Sequence, residues 1–147
     1  METQEVITNL IKFWKKENIM KALLDKIFPN QKYFDRKAWI VGNDNKLMIG
    51  GWKSGGVQLD RYYPYLKLAF EYNGRQHYDM IWNRVNLKVF LNIVSNDQRK
   101  QEMCRKVGVN LIVIKYNEKL TEQLILNKLK ESEFDMEVLC QKSLEEE

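Results

Sequence analysis

Leu66-Lys67-Leu68-Ala69-Phe70-Glu71, continuing into Tyr72-Asn73-Gly74-Arg75-Gln76-His77-Tyr78, is the stretch on which the fold turns. Leu66, Leu68 and Phe70 fall at period two, so they share one face of a strand, and Glu71 points the other way with Lys67, Ala69 and Asn73. The run before it, Val57-Gln58-Leu59-Asp60, also reads as a strand, which Asp60 closes. Tyr63-Pro64-Tyr65 is the natural turn between the two, since proline presets a turn angle and cannot donate within a ladder. The two acids are therefore expected to meet across a hairpin. Carboxylates that converge in this way suit a hard divalent cation such as Mg2+, whose charge offsets their mutual repulsion.

Working outward, the apolar positions from Val6 to Ile27 recur at helical spacing, with Lys12, Lys15, Lys16 and Lys21 between them, and Pro29-Asn30 ends this first helix. Trp39-Ile40-Val41 and Leu47-Met48-Ile49 flank the turn-rich Gly42-Asn43-Asp44-Asn45 and predict a hairpin. Gly50 to Gly56 is a permissive connector without the spacing of a phosphate-binding loop. Leu87, Phe90, Leu91 and Val94 sit at helical intervals and predict a helix over Asn83 to Val94. A further helix, capped by Ser95 or Asn96, is expected from Asp97 to about Val107, where Gly108 stops it. Val109 to Ile114 is continuously apolar apart from Asn110 and reads as a parallel or central strand buried on both faces. Thr121 caps a last helix through Leu124, Ile125 and Leu129. That order of elements predicts an α/β sandwich around a mixed sheet.

With 147 residues, 44% of them hydrophobic, the chain suits one domain, 1–147, and one core. Its charge of +4 is modest for a nucleic-acid binder. The acids, however, concentrate in the tail from about 131 to 147, expected to be solvated, which leaves the rest more basic. Cys104 and Cys140 lie far apart and there is one histidine, so zinc-ligand spacing is lacking and reduced, buried thiols are expected. No apolar run approaches the ~20 residues that span a bilayer. Met1 leads into polar residues rather than a leader, so action inside a cell is expected, away from any membrane.

Asp60, then Glu71 with Gln76-His77-Tyr78, then Asp97 with Lys100, then Cys104, then Leu111-Ile112-Val113-Ile114-Lys115-Tyr116, together resemble the PD-(D/E)XK restriction-endonuclease-like superfamily. The branch is the one near very-short-patch repair endonucleases and related phage and homing nucleases. The resemblance covers about 57–116. It implies an αβββαβ core, with a mixed central sheet flanked by helices, and Mg2+-dependent hydrolysis of DNA in phage, mobile-element, repair or recombination work, with Mn2+ able to substitute. By position it makes Asp60 and Glu71 the metal-binding acids, Gln76 and His77 the pair just past the active strand, and Asp97 the acid that opens the next helix. It also implies an upstream glutamate from the first helix, for which Glu5 is the loose candidate.

One departure matters. The family's lysine two residues after the second acid is Asn73 here, which carries no charge. His77 is then the nearest general base, and Lys100, one turn beyond Asp97, the best cationic substitute. Trp52 and Tyr78 are candidates to stack on bases, and Lys53, Arg75 and Arg99 to meet phosphates, as are Arg105, Lys106 and Lys115. Each residue also has an ordinary explanation: Asp60 as a hairpin cap, Glu71 paired with Lys67 or Arg75, Asp97 as a stabilising acid at a helix start, the aromatics as core. The expected function is an endodeoxyribonuclease that acts on DNA, with a homodimer as the route to a double-strand cut. An inert nuclease-fold DNA-binding or inhibitor protein is the alternative, and an RNA nuclease a weaker one.

Overall fold

In a computed structural model, which describes residues 2–42, 45–51, 55–74 and 87–139, the chain runs α1 (Glu2–Ile27), β1 (Phe34–Val41), β2 (Lys46–Ile49), β3 (Val57–Tyr63), β4 (Leu68–Asn73), α2 (Leu87–Lys106), β5 (Asn110–Lys115) and α3 (Glu122–Glu131). Side chains of α1 are described from Lys15 onward. The five strands lie in the order β2-β1-β3-β4-β5, antiparallel except for the parallel β4–β5 pair. A parallel pair needs a crossover, and α2 supplies it. The fold is thus α/β, a mixed sheet flanked by helices, as expected. Leaving aside the edge strand β2, α1-β1-β3-β4-α2-β5 is the αβββαβ order, with α3 added.

Two cores hold the layers together. On one face Met20, Leu24 and Phe28 join Ile125 and Leu129 of α3 against Tyr63, Leu68, Phe70, Tyr72, Ile112 and Ile114. On the other, Met103 and Cys104 of α2 and Val109 pack on Ala38, Ile40, Val57, Leu59, Tyr62 and Ala69. Every residue of β4 is buried, so both its faces are covered. Period two puts Leu68, Phe70 and Tyr72 on the α1 side and Ala69, Glu71 and Asn73 on the α2 side.

Local chemistry sets the boundaries. Gly108, at φ +77, ends α2 with its N–H donating to Arg105 O (3.2 Å) while Val109 N–H donates to Cys104 O (2.8 Å), the paired bonds of a left-handed helix stop. Thr121 caps α3 as expected, its hydroxyl oxygen accepting from Leu124 N at 3.1 Å.

Several expectations change. Asp60 does not close β3, which runs on to Tyr63, so Asp60 lies mid-strand. Leu66 and Lys67 belong to the turn, Lys67 at φ +49, and β4 starts at Leu68. Ser95 and Asn96 cap nothing. From Leu87 to Lys106 the helix is unbroken, because the chain there holds no glycine or proline to interrupt it. Asp97 therefore sits in mid-helix, without a helix-end role. β5 is parallel but at the sheet edge, with Leu111 and Val113 only half buried. The tail is not wholly solvated: Phe134, Met136 and Leu139, spaced among the acids, pack on the α1-side core. Among the described residues no helix is long and apolar enough to cross a membrane.

Candidate functional site

The site forms where regular pairing between β3 and β4 gives way. Main-chain partners run Tyr63↔Leu68, Tyr62↔Ala69 and Arg61↔Phe70. One step further the side chains take over. Asp60 N–H donates to Glu71 Oε1 at 2.9 Å, and Tyr72 N–H donates to Asp60 Oδ2 at 3.0 Å. Leu59 and Tyr62, three apart, pack in the same cluster, so strict alternation breaks between them, at Asp60 and Arg61. The two carboxylates are thereby crossed over the gap between adjacent strands, each fixed by the other strand's backbone.

Their setting is costly for two negative charges. Glu71 is buried and Asp60 half buried. Burial first, and Asp60's charge second, push the Glu71 carboxyl up to about 8, with Lys100 and the Asp60 N–H opposing. Asp60 is raised too, by burial and then by the charge of Glu17, against its Tyr72 hydrogen bond and the charges of Lys100 and Arg36. An offsetting cation comes from α2, where Lys100 Nζ lies 3.1 Å from Glu71 Oε2. Burial works to deprotonate Lys100, but Glu71 and Asp60 outweigh it and raise its pKa, with Asp97, one turn earlier on the helix, adding to the effect. Lys100 therefore stays charged.

Two residues that the sequence reading passed over complete the surroundings. Glu17 lies on the buried stripe of α1, three before Met20 and seven before Leu24, and is itself buried. A charged residue in register with an apolar stripe is the signal that marks it. Its carboxylate accepts from Arg36 Nη2 at 2.7 and 2.6 Å, with Lys21 Nζ at 3.5 Å. Arg36 sits in a bulge: Asp35 pairs with Arg61 and Ala38 with Leu59, so both Arg36 and Lys37 stand opposite Asp60. Arg36 takes the left-handed conformation, φ +55.

Beside Asp60 the buried Arg61 anchors the site. It donates to both oxygens of Asp35 (2.7 and 2.9 Å), to Asp25 Oδ1 (2.6 Å), to Lys21 O (3.2 Å) and to the Tyr63 hydroxyl (3.3 Å), with its guanidinium 3.7 Å from the Tyr33 ring centre. Cys104, behind Glu71, is buried and its thiol is pushed up to about 12 by burial, then by Glu71, so it is inert.

The structure thus brings Asp60, Glu71 and Lys100 together, with Asp97 beside Lys100. Arg99 spends one donor on Gly55 O at 3.2 Å, tying α2 to the glycine-rich connector. Trp52, Lys53, Arg75, Gln76, His77, Tyr78 and Cys140 lie outside the described residues, as do the side chain of Glu5 and residues 83–86 of the expected helix. Among the described residues no three His, Cys, Asp or Glu side chains gather into a metal-ligand group.

No family model and no solved structure matches the chain. Over 75 residues, half its length, it is 40% identical to an uncharacterized protein, 307L, of Invertebrate iridescent virus 6. Over 68 residues it is 35% identical to an uncharacterized protein, 033L, of Invertebrate iridescent virus 3. The matched segments cover 38% and 34% of those two proteins, so the chain spans little more than a third of the relatives it matches.

Proposed function

We propose that the chain is a metal-dependent endonuclease acting on DNA, built in the manner of the PD-(D/E)XK nucleases. The observation that carries this reading is the crossed acid pair, Asp60 with Glu71, bearing a lysine on the second acid. Two carboxylates whose acidity is weakened by burial, and by the charge of Asp60 on Glu71 and of Glu17 on Asp60, form a site suited to a cation, and an oxygen-only pair is what Mg2+ accepts when phosphate and water complete its shell. The donor set therefore fits Mg2+, or Mn2+ in its place. When bound, the ion would make a water more acidic and offset charge on the phosphate under attack.

The chain's own groups have distinct parts. Asp60 and Glu71 hold the cation, and the main-chain N–H groups of Tyr72 and Asp60 fix the direction of each carboxylate. Lys100 Nζ occupies the cationic role that Asn73 cannot, orienting water or steadying an oxyanion from the helix instead of the strand. His77 follows β4 by four residues and is the proposed proton acceptor, with Gln76 as a positioning group. One acid pair per chain makes cutting both strands of a duplex the work of two copies.

The test is to incubate supercoiled plasmid with Mg2+, Mn2+ or EDTA and the variants Asp60→Asn and Glu71→Gln, which keep shape and remove charge. Metal-dependent nicking by the wild type, reduced about a hundredfold to a thousandfold in each variant while each stays folded at the assay temperature, is expected. Cutting by either variant at the wild-type rate removes the assigned site. Binding to DNA without cutting selects the inert DNA-binding alternative, for which Asn73 speaks, and cleavage confined to parallel RNA substrates selects the ribonuclease.

A further inference from the structure

We infer that Arg36 is a phosphate-binding residue of this site, parked on Glu17 until a nucleic-acid backbone arrives. The inference rests on the nuclease reading above and adds to it a contact outside the acid pair. Position is the first ground. The bulge that sets two residues against Asp60 brings Arg36 beside the acids, on a different element from Lys100, so that β1 and α2 each contribute a cation.

Backbone strain is the second ground. A non-glycine residue at φ +55 is strained, and such residues persist where the surroundings hold them in place. Here Gln58 Nε2 donates to Arg36 O at 2.6 Å and fixes that conformation. Neutralising Glu17 does not by itself call for a strained arginine from β1, because Lys21 already reaches Glu17 from the next turn of α1.

Donor arithmetic is the third. Both bonds to Glu17 use one nitrogen, Nη2, of a planar group with five donors, and the Arg36 side chain is 46% exposed. Among the described residues nothing else accepts from the fork, which leaves its other nitrogens for an acceptor from solvent. A phosphodiester group, with two anionic oxygens, matches that fork better than a lysine would. When Arg36 turns to phosphate, Lys21 stays with Glu17, so the buried carboxylate is not stranded.

The test compares Glu17→Gln with the double variant Glu17→Gln/Arg36→Gln. In both, position 17 is neutral, so neither leaves a buried carboxylate unpaired, and matching melts verify the fold. Binding to a short labelled DNA duplex is measured by anisotropy in EDTA across a salt series. Freed from its partner, Arg36 should make Glu17→Gln bind more tightly than the wild type. Adding Arg36→Gln should then weaken binding about tenfold and reduce the slope of log K against log salt by about one. A double variant with the affinity and slope of Glu17→Gln overturns the inference, while plasmid cutting by the wild type leaves the nuclease reading standing. A wild type that neither binds nor cuts DNA overturns both.

Discussion

Glu71 holds its proton far into the neutral range because the fold denies its charge water and sets Asp60 beside it. The consequence for stability follows from proton counting. An unfolded chain releases this proton near the ordinary 4.5, whereas the folded chain keeps it to about 8, so across that window the folded state binds more protons. Stability from this group is full below the lower value and is lost as pH rises through the upper one, at no more than about 1.4 kcal/mol per pH unit. The metal-free protein should therefore melt at a lower temperature near pH 8 than near pH 6, and Glu71→Gln should flatten that dependence. A cation must displace the same proton, so added Mg2+ should raise the melting temperature more at the higher pH. Melts at both pH values, with and without Mg2+, check this. A Glu71→Gln protein with an unaltered pH slope would show that the proton sits elsewhere.

Among the elements, α2 carries the most consequence, because one unbroken helix brings Lys100 to Glu71 where the strand offers only Asn73. Lys100→Met should lower the turnover number by about a hundredfold to a thousandfold and leave DNA affinity within a few fold, a split that single-turnover and binding measurements resolve. Turnover at the wild-type rate would return the cationic role to the segment after β4. How much of this was legible differs from element to element. Period two in β4 and the spacing of α3 are local patterns, and both elements form as expected except that β4 starts at Leu68, after the turn that takes Leu66 and Lys67. So does the meeting of the acids, because a hairpin ties them over eleven residues. The single helix α2 was hidden because Ser95 and Asn96 carry strong local capping preferences and no apolar residue between Val94 and Met103 continues the helical pattern across them. Glu17 was marked by its register with Met20 and Leu24, but its partner Arg36 is nineteen residues away and reaches it through a bulge that no local periodicity encodes. The end of β3 was misread for a similar reason: Arg61-Tyr62-Tyr63 breaks the apolar alternation, since Arg61 is buried by its partners and not by its own chemistry.

Across the molecule, the two cores lie on opposite faces of the sheet, and the site needs residues from both sides: Glu17 from α1 and Lys100 from α2. Something must fix α1 on the sheet to within hydrogen-bond tolerance, and apolar packing by Met20, Leu24 and Phe28 alone permits sliding. Arg61 supplies the register. From mid-sheet it binds the carbonyl of Lys21 and the side chain of Asp25 on α1, and it grips Asp35 on β1 with two bonds, next to the bulge that aims Arg36. The partners differ in what they lose if the set is broken. Arg61 is 2% exposed, whereas Asp25 is 53% and Asp35 33% exposed, so the acids can return to water and the arginine cannot. Asp25→Asn should accordingly cost under about 1 kcal/mol, as a partly solvated pair does. Arg61→Met removes every bond at once and should cost about 3 kcal/mol, the lower end for breaking a buried ion pair because the orphaned acids rehydrate. It should also cut nicking activity more than its melt explains at temperatures where the protein is fully folded, since Glu17 and Arg36 lose their common reference. Urea unfolding of both variants beside plasmid cutting well below the melt measures each part. Equal, small stability losses with full activity would mean that the hydrophobic layers alone set the position of α1.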